Sequence, residues 1–162
     1  MKLTDYVAYF ETLAIKHKAI GHDPADAKKH HFFQFDPEEI NNALRSKVQL
    51  PCLFLETYES SPLINNAGGC FKPRQGAFMI LDKLPVSDFK GKVHLLDGME
   101  SIGEDIIVKM MEDRTSAVLG FDLNSVQSSP VGPLWDNYYG WVYTFTILDH
   151  FDTTPRPDKW LP

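Results

Sequence analysis

Hydrophobic residues recur at every second position over two stretches near the end of the chain. Ala117, Leu119, Phe121 and Leu123 alternate with Asp122 and Asn124, and Trp141, Tyr143, Phe145 and Ile147 alternate with Thr144 and Thr146. Residues two apart share one face of a strand, so each stretch sets an apolar row against a core and a more polar row opposite. The turn-rich Ser128-Ser129-Pro130-Val131-Gly132-Pro133 lies between them, which predicts a long aromatic β-hairpin with that segment as its loop.

Elsewhere the period changes. Tyr6, Val7, Phe10, Leu13, Ala14, His17 and Ile20 fall at helical steps, predicting a helix from Thr4, as N-cap, to Ile20, with Gly21 as terminator. Gly21 to His31 has no period and reads as a loop carrying His22, Asp23, Asp26, His30 and His31. Asp36-Pro37-Glu38-Glu39 has the form of a helix start, with Ile40, Ala43 and Leu44 as inner face and an end near Ser46. Leu50 to Tyr58 and Ala77 to Leu81 read as strands, with Asn65 to Gly69 a flexible loop and Lys72-Pro73-Arg74 a connection between them. Phe89, Val93, Leu96, Met99, Ile102, Ile106 and Met110 predict a long helix over Ser87 to Asp113. Gly91, Gly98 and Gly103 mark places where it is expected to kink.

The order is α-α-β-β-α-β-β, which predicts an α+β fold: an antiparallel four-stranded sheet with helices packed mainly on one face. Residues 1–152 are expected to form one domain, and 153–162 an extended proline-rich tail. Both strands of the first pair are apolar on both faces. Three helices, one of them short, cover such a sheet only in part, so the second face is expected to meet another chain.

Composition narrows the function classes. A net charge of -6 gives no basic face for neutralising phosphates, so nucleic acid is not an expected partner. No apolar run reaches the length of a membrane span, and Met1-Lys2-Leu3-Thr4-Asp5 passes directly into the amphipathic pattern without a secretory signal. The two cysteines, Cys52 in an apolar run and Cys70 in a glycine-rich segment, have no zinc spacing and form no disulfide framework, which points to a cytoplasmic protein.

Candidate chemistry is sparse. His17, His22, Asp26 and His30 are ligand types, but their spacing matches no metal template, so no metal is expected. Glu38-Glu39, Glu104-Asp105 and Glu112-Asp113 are explained by helix capping and solvated helix faces. Glu56 and Glu59, near a strand end, could face a cleft, although a structural role is the reading favoured for these carboxylates as well. Ala67-Gly68-Gly69-Cys70 lacks the Lys-Ser/Thr ending of a phosphate loop, and no serine or cysteine sits in a nucleophile signature. No catalytic residue or cofactor is therefore expected. Aromatics carry the remaining signal. Trp135, Tyr138 and Tyr139 crowd near the hairpin loop, and with Phe54, Phe78 and Trp160 they form the expected interface.

The segment from Val131 to Ile147, with Trp135, Tyr138, Tyr139, Trp141 and Tyr143, resembles the C-terminal part of small phage- or prophage-encoded tail proteins of Bacteroidetes-type genomes. The element order is similar to that of tail-terminator and tail-completion proteins. That resemblance implies a small α+β subunit forming rings at the end of a tail tube, working by surfaces rather than by a catalytic set. Gly21 to His31 and the tail after Phe151 depart from it. The expected function is thus a non-enzymatic structural subunit of a phage-like tail or related assembly. Its partners would be itself, as homo-oligomer or ring, and other tail-like proteins, with the virion or prophage particle as a second location. Two alternatives remain: a small metal-dependent hydrolase using the His22–His31 loop with Glu56 or Glu59, and a module binding a small ligand between sheet and helices.

Overall fold

The computed structural model describes residues 1–35, 48–66, 69–85, 88–115, 120–134 and 137–160. Two α-helices and seven strands lie within them: α1 (Leu3–Lys16), β1 (Phe32–Phe35), β2 (Cys52–Glu56), β3 (Glu59–Ser60), β4 (Ile64–Asn66), β5 (Gly69–Lys83), α2 (Phe89–Thr115), β6 (Phe121–Leu134) and β7 (Tyr138–His150). Short 3-10 turns at Ala27–Lys29 and Pro157–Lys159 complete the inventory. The expected helix over Asp36 to Ser46 lies outside the described residues.

The fold is α+β, but its sheet is a mixed one of seven strands rather than an antiparallel one of four. The order is β1-β2-β5-β7-β6, with β3 and β4 both paired to β5. β1 runs parallel to β2, and every other pair is antiparallel. Phe32-Phe33-Gln34-Phe35 shows no alternation, so the edge strand it forms carries no periodic signal. β3 and β4, of two and three residues, are also too short for one.

β5 is fifteen residues long, and its first half takes in Gly69, the end of the expected flexible loop, and Lys72-Pro73-Arg74, expected as a connection either extended or mobile. Pro73 is tolerated there because its carbonyl accepts from Ser61 N–H at 3.0 Å. Its missing donor therefore faces the β3–β4 side, and the ladder to β7 stays whole. The expected hairpin loop is likewise strand. Ser128 to Val131 and Leu134 pair with β7, from Ser128↔Tyr143 to Leu134↔Tyr138, with irregularities in register after Asp122 and after Val131. Pro130 and Pro133 fit because β6 is the last strand of the sheet, where an absent N–H can face outward.

α1 begins at Leu3, one residue before the expected cap, because the Asp5 carboxylate accepts from Lys2 N–H at 3.1 Å. It stops at Lys16, and Ile20 enters the core from the following turn. α2 runs unbroken through Gly98 and Gly103, its start held by Asp88 accepting from Gly91 N–H at 2.8 Å. Its inner face is Met99, Ile102, Ile106, Ile107 and Met110, whereas Val93 is exposed.

Both helices pack on one face of the sheet. Tyr6, Phe10, Leu13 and Ala14 of α1 and the inner face of α2 meet Leu53, Leu55, Phe78, Ile80, Phe121, Tyr143, Phe145 and Ile147. A smaller cluster lies on the second face: Cys52, Phe54 and Leu81, with Phe33, Val48, Leu50, Met79, Val131 and Leu134 against them.

Candidate functional site

Strand alternation and register fix what the second face displays. Met79 opposes Val142, Ala77 opposes Thr144, Gln75 opposes Thr146, Pro73 opposes Leu148 and Phe71 opposes His150. On the flanks Phe54 opposes Met79, Gln127 opposes Thr144, Glu59 opposes Gln75 and Ile64 opposes Phe71. The face is therefore banded: apolar around Phe54 and Met79, polar in the middle, apolar again around Ile64 and Leu148.

The polar band is a groove of about 590 Å³ lined by Glu56, Thr57, Glu59, Gln75, Gly76, Ala77, Ser125, Gln127, Thr144, Phe145 and Thr146. One wall exists because β6 bulges between Asp122 and Gln127. Ser125 Oγ fills the break, donating to the Asp122 carbonyl at 2.6 Å and accepting from Thr146 N–H at 2.7 Å. The floor crosses Gly76, whose lack of a side chain serves the helix side: a Cβ there would stand 2.5 Å from the Tyr6 hydroxyl and 2.8 Å from the Phe145 ring. Burial, with Glu56 adding to it, pushes the Tyr6 phenol far above its usual range, so it stays neutral. Glu56 and Glu59 are exposed and form no ion pair among the described residues. A smaller apolar pocket of about 130 Å³ adjoins the groove and shares Glu56 and Ala77 with it, the rest being Phe54, Met79 and Val142.

The expected interface residues scatter. Phe54 and Phe78 are fully buried and Tyr138 is 5% exposed, so none of the three can meet a partner. Phe54 stacks on Phe33 at 5.2 Å, and Phe78 lies between Phe10 and Tyr143. Tyr138 sits under the Lys83 ammonium at 5.3 Å. Lys83 of β5 and Leu134 of β6 pair with Tyr138 on either side, so this aromatic is covered where an open loop would have exposed it. Tyr139 is half-buried beneath Lys92 of α2, and Trp160 is 79% exposed. Trp135 lies outside the described residues.

The hydrolase constellation does not assemble. His31 Nδ1 lies 2.8 Å from the Pro51 carbonyl at the foot of β2, and Glu56 is five residues further along, about 16 Å away at strand rise. His22 is buried. Its Nδ1 accepts from His31 N–H at 3.1 Å, and its ring packs against Phe32 and His30. His17 pairs instead with Asp105 at 3.2 Å, bracing α1 against α2. Among the described residues no group of three or more His, Cys, Asp and Glu side chains is arranged to hold a metal. Burial raises the Cys52 thiol well above its ordinary range, making it a poor nucleophile.

Glu56 and Glu59 do face a cleft. Gln75, Gln127 and Ser125 were not legible as site residues, because their convergence depends on register and a bulge. Thr144 and Thr146 were legible as the outward row of an alternating strand.

No helix among the described residues is long and apolar enough to cross a membrane. The chain matches no family model and no curated protein.

Proposed function

We propose that this chain is a non-enzymatic structural subunit that works by self-association, in the manner of a phage-like tail assembly. The observation carrying this reading is a group of exposed apolar side chains at one end of the sheet, accompanied by exposed apolar side chains on the helices that cover its other face. At one end of the sheet, Leu63, Ile64, Leu148 and Phe151 are 38–48% exposed, held together by the Ile64↔Phe71 and Pro73↔Leu148 pairs and by Phe151 N–H donating to the Cys70 carbonyl. On the helices, Ile15, Val93 and Val108 are 45–59% exposed. Apolar side chains grouped at one end of a sheet mark an interaction site. Exposed apolar side chains at the sheet end and on the helices suit head-to-tail contact, which closes into rings or continues into filaments.

Sedimentation velocity over a wide concentration range tests the reading. The wild type is expected to associate, and Leu148→Lys and Val108→Lys each to weaken this. In a head-to-tail contact each variant keeps one good surface, so their mixture should form dimers and go no further. A wild type that stays monomeric at every concentration, or variants that associate like it, would overturn the proposal.

The polar groove supports a second reading, a module binding a small polar ligand. Its place would be the second face of the sheet, not the space between sheet and helices.

A further inference from the structure

We infer that the polar groove receives the proline-rich tail of a neighbouring copy, an inference that rests on the self-association reading. The tail is built as a projecting arm. Every residue from Phe151 to Trp160 is exposed, and Trp160 is 79% exposed. Its polar contacts are largely its own: Asp152 accepts from Thr154 N–H at 2.9 Å and from Arg156 at 3.0 Å, and Lys159 lies 3.2 Å from Asp158. Pro155 and Pro157 fix backbone angles in advance, so docking would cost little further ordering.

The groove complements what the arm carries. Glu56 and Glu59 supply negative charge with no ion pair among the described residues, and Gln75 and Gln127 supply amides. Arg156 and Lys159 are 61% and 69% exposed and, among the described residues, form ion pairs only with acids of the arm itself. The apolar pocket alongside, with Met79 and Val142, offers a surface for the Trp160 indole.

Geometry favours a neighbour's groove over the chain's own. Phe151 N–H bonds the Cys70 carbonyl at 2.8 Å, so the tail leaves the sheet past the start of β5. Gln75 lies in the opposite direction along that strand, and an arm reaching its own groove would have to reverse at once.

The test uses a fluorescein-labelled peptide of residues 151–160, titrated by anisotropy onto the full chain carrying Trp160→Ala, which weakens competition from the resident arm. Saturable binding is expected. It should fall by about tenfold or more when Glu56→Gln and Glu59→Gln are added, or when the peptide's own tryptophan is replaced by alanine. In sedimentation, Trp160→Ala should associate less than wild type, and circular dichroism checks that all variants fold. Absence of saturable binding up to millimolar protein, or binding indifferent to Glu56 and Glu59, overturns the inference. So does peptide binding combined with wild-type sedimentation of Trp160→Ala, which would put the arm on its own groove. Association that persists in Trp160→Ala but is lost in Leu148→Lys would remove the arm exchange and leave the self-association reading standing. A wild type monomeric throughout removes both.

Discussion

Phe145 is 2% exposed and ringed by Phe10, Phe78 and Phe121, with the first stacked on it at 5.6 Å, whereas Thr144 points into the groove on the other side of the same strand. Phe145→Ala should cost about 3–5 kcal/mol, the range for large aromatic truncations in a core, and Thr144→Ala close to nothing. Urea denaturation of the two variants decides it, and equal midpoints would mean that the burial of the two faces is wrongly assigned. The inward position of Phe145 was legible from period two alone. That Gly76 must be glycine was not, because the two groups crowding it, Tyr6 and Phe145, are brought there from a helix and a neighbouring strand.

The loop between α1 and β1 shows what periodicity misses in an element. Without apolar alternation it looked featureless, yet His22 anchors it by accepting a backbone hydrogen bond with Nδ1, which requires that nitrogen to be unprotonated. Beside it, partial desolvation of the surface-exposed His30 ring where it packs on His22 and Phe33, and then the proximity of His22, hold His30 below its ordinary range. A histidine whose pKa is lower folded than unfolded binds fewer protons in the native state. Its contribution is therefore complete above about pH 6.5 and is lost as pH falls through the folded value. Amide exchange at 22–31 should accelerate as pH drops from 7 to 5, after correction for intrinsic rates, and His30→Gln should reduce that change. A loop equally protected at both pH values would show that His30 does not couple to its docking. β6 makes a similar point, since its prolines read as a loop until its place at the sheet edge explains why they are tolerated.

Across the molecule, Arg74 of β5 and the Met1 amine converge on Asp149 near the end of β7, with Arg74 at 2.9 Å. Burial alone would raise the Asp149 carboxyl, but the hydrogen bonds from Met1 and Arg74 outweigh it and hold the group below the usual carboxylate range. The depressed folded value means that the stabilisation is present above about pH 4 and disappears as pH falls through that folded value. Asp149→Asn should cost about 1.5–3 kcal/mol at pH 7, the range for charge-assisted hydrogen bonds, and the deficit should shrink toward pH 3. Urea midpoints at the two pH values measure it. A deficit unchanged by acid would assign the effect to packing rather than charge. This cluster joins residues far apart in the chain, and nothing in their local sequence announces it.

Elements whose pattern is local could be read along the chain. Period two placed the helix-side row of β7, and period three to four placed most of α1 and the inner face of α2, because repeating apolar positions must share one face of a regular backbone. The apolar pattern also made the second face of the sheet worth questioning. Long-range pairing set which strands are neighbours, ran β1 parallel to β2, and carried the long strands through Pro73 and Pro130. The same holds for the burial of Phe54, Phe78 and Tyr138 and for the polar groove of Glu56, Glu59, Gln75 and Gln127. These depend on cross-strand register and on a bulge, which are pairings between distant segments. One-residue changes in register exchange the two faces, and a period read along a single strand does not specify its partner.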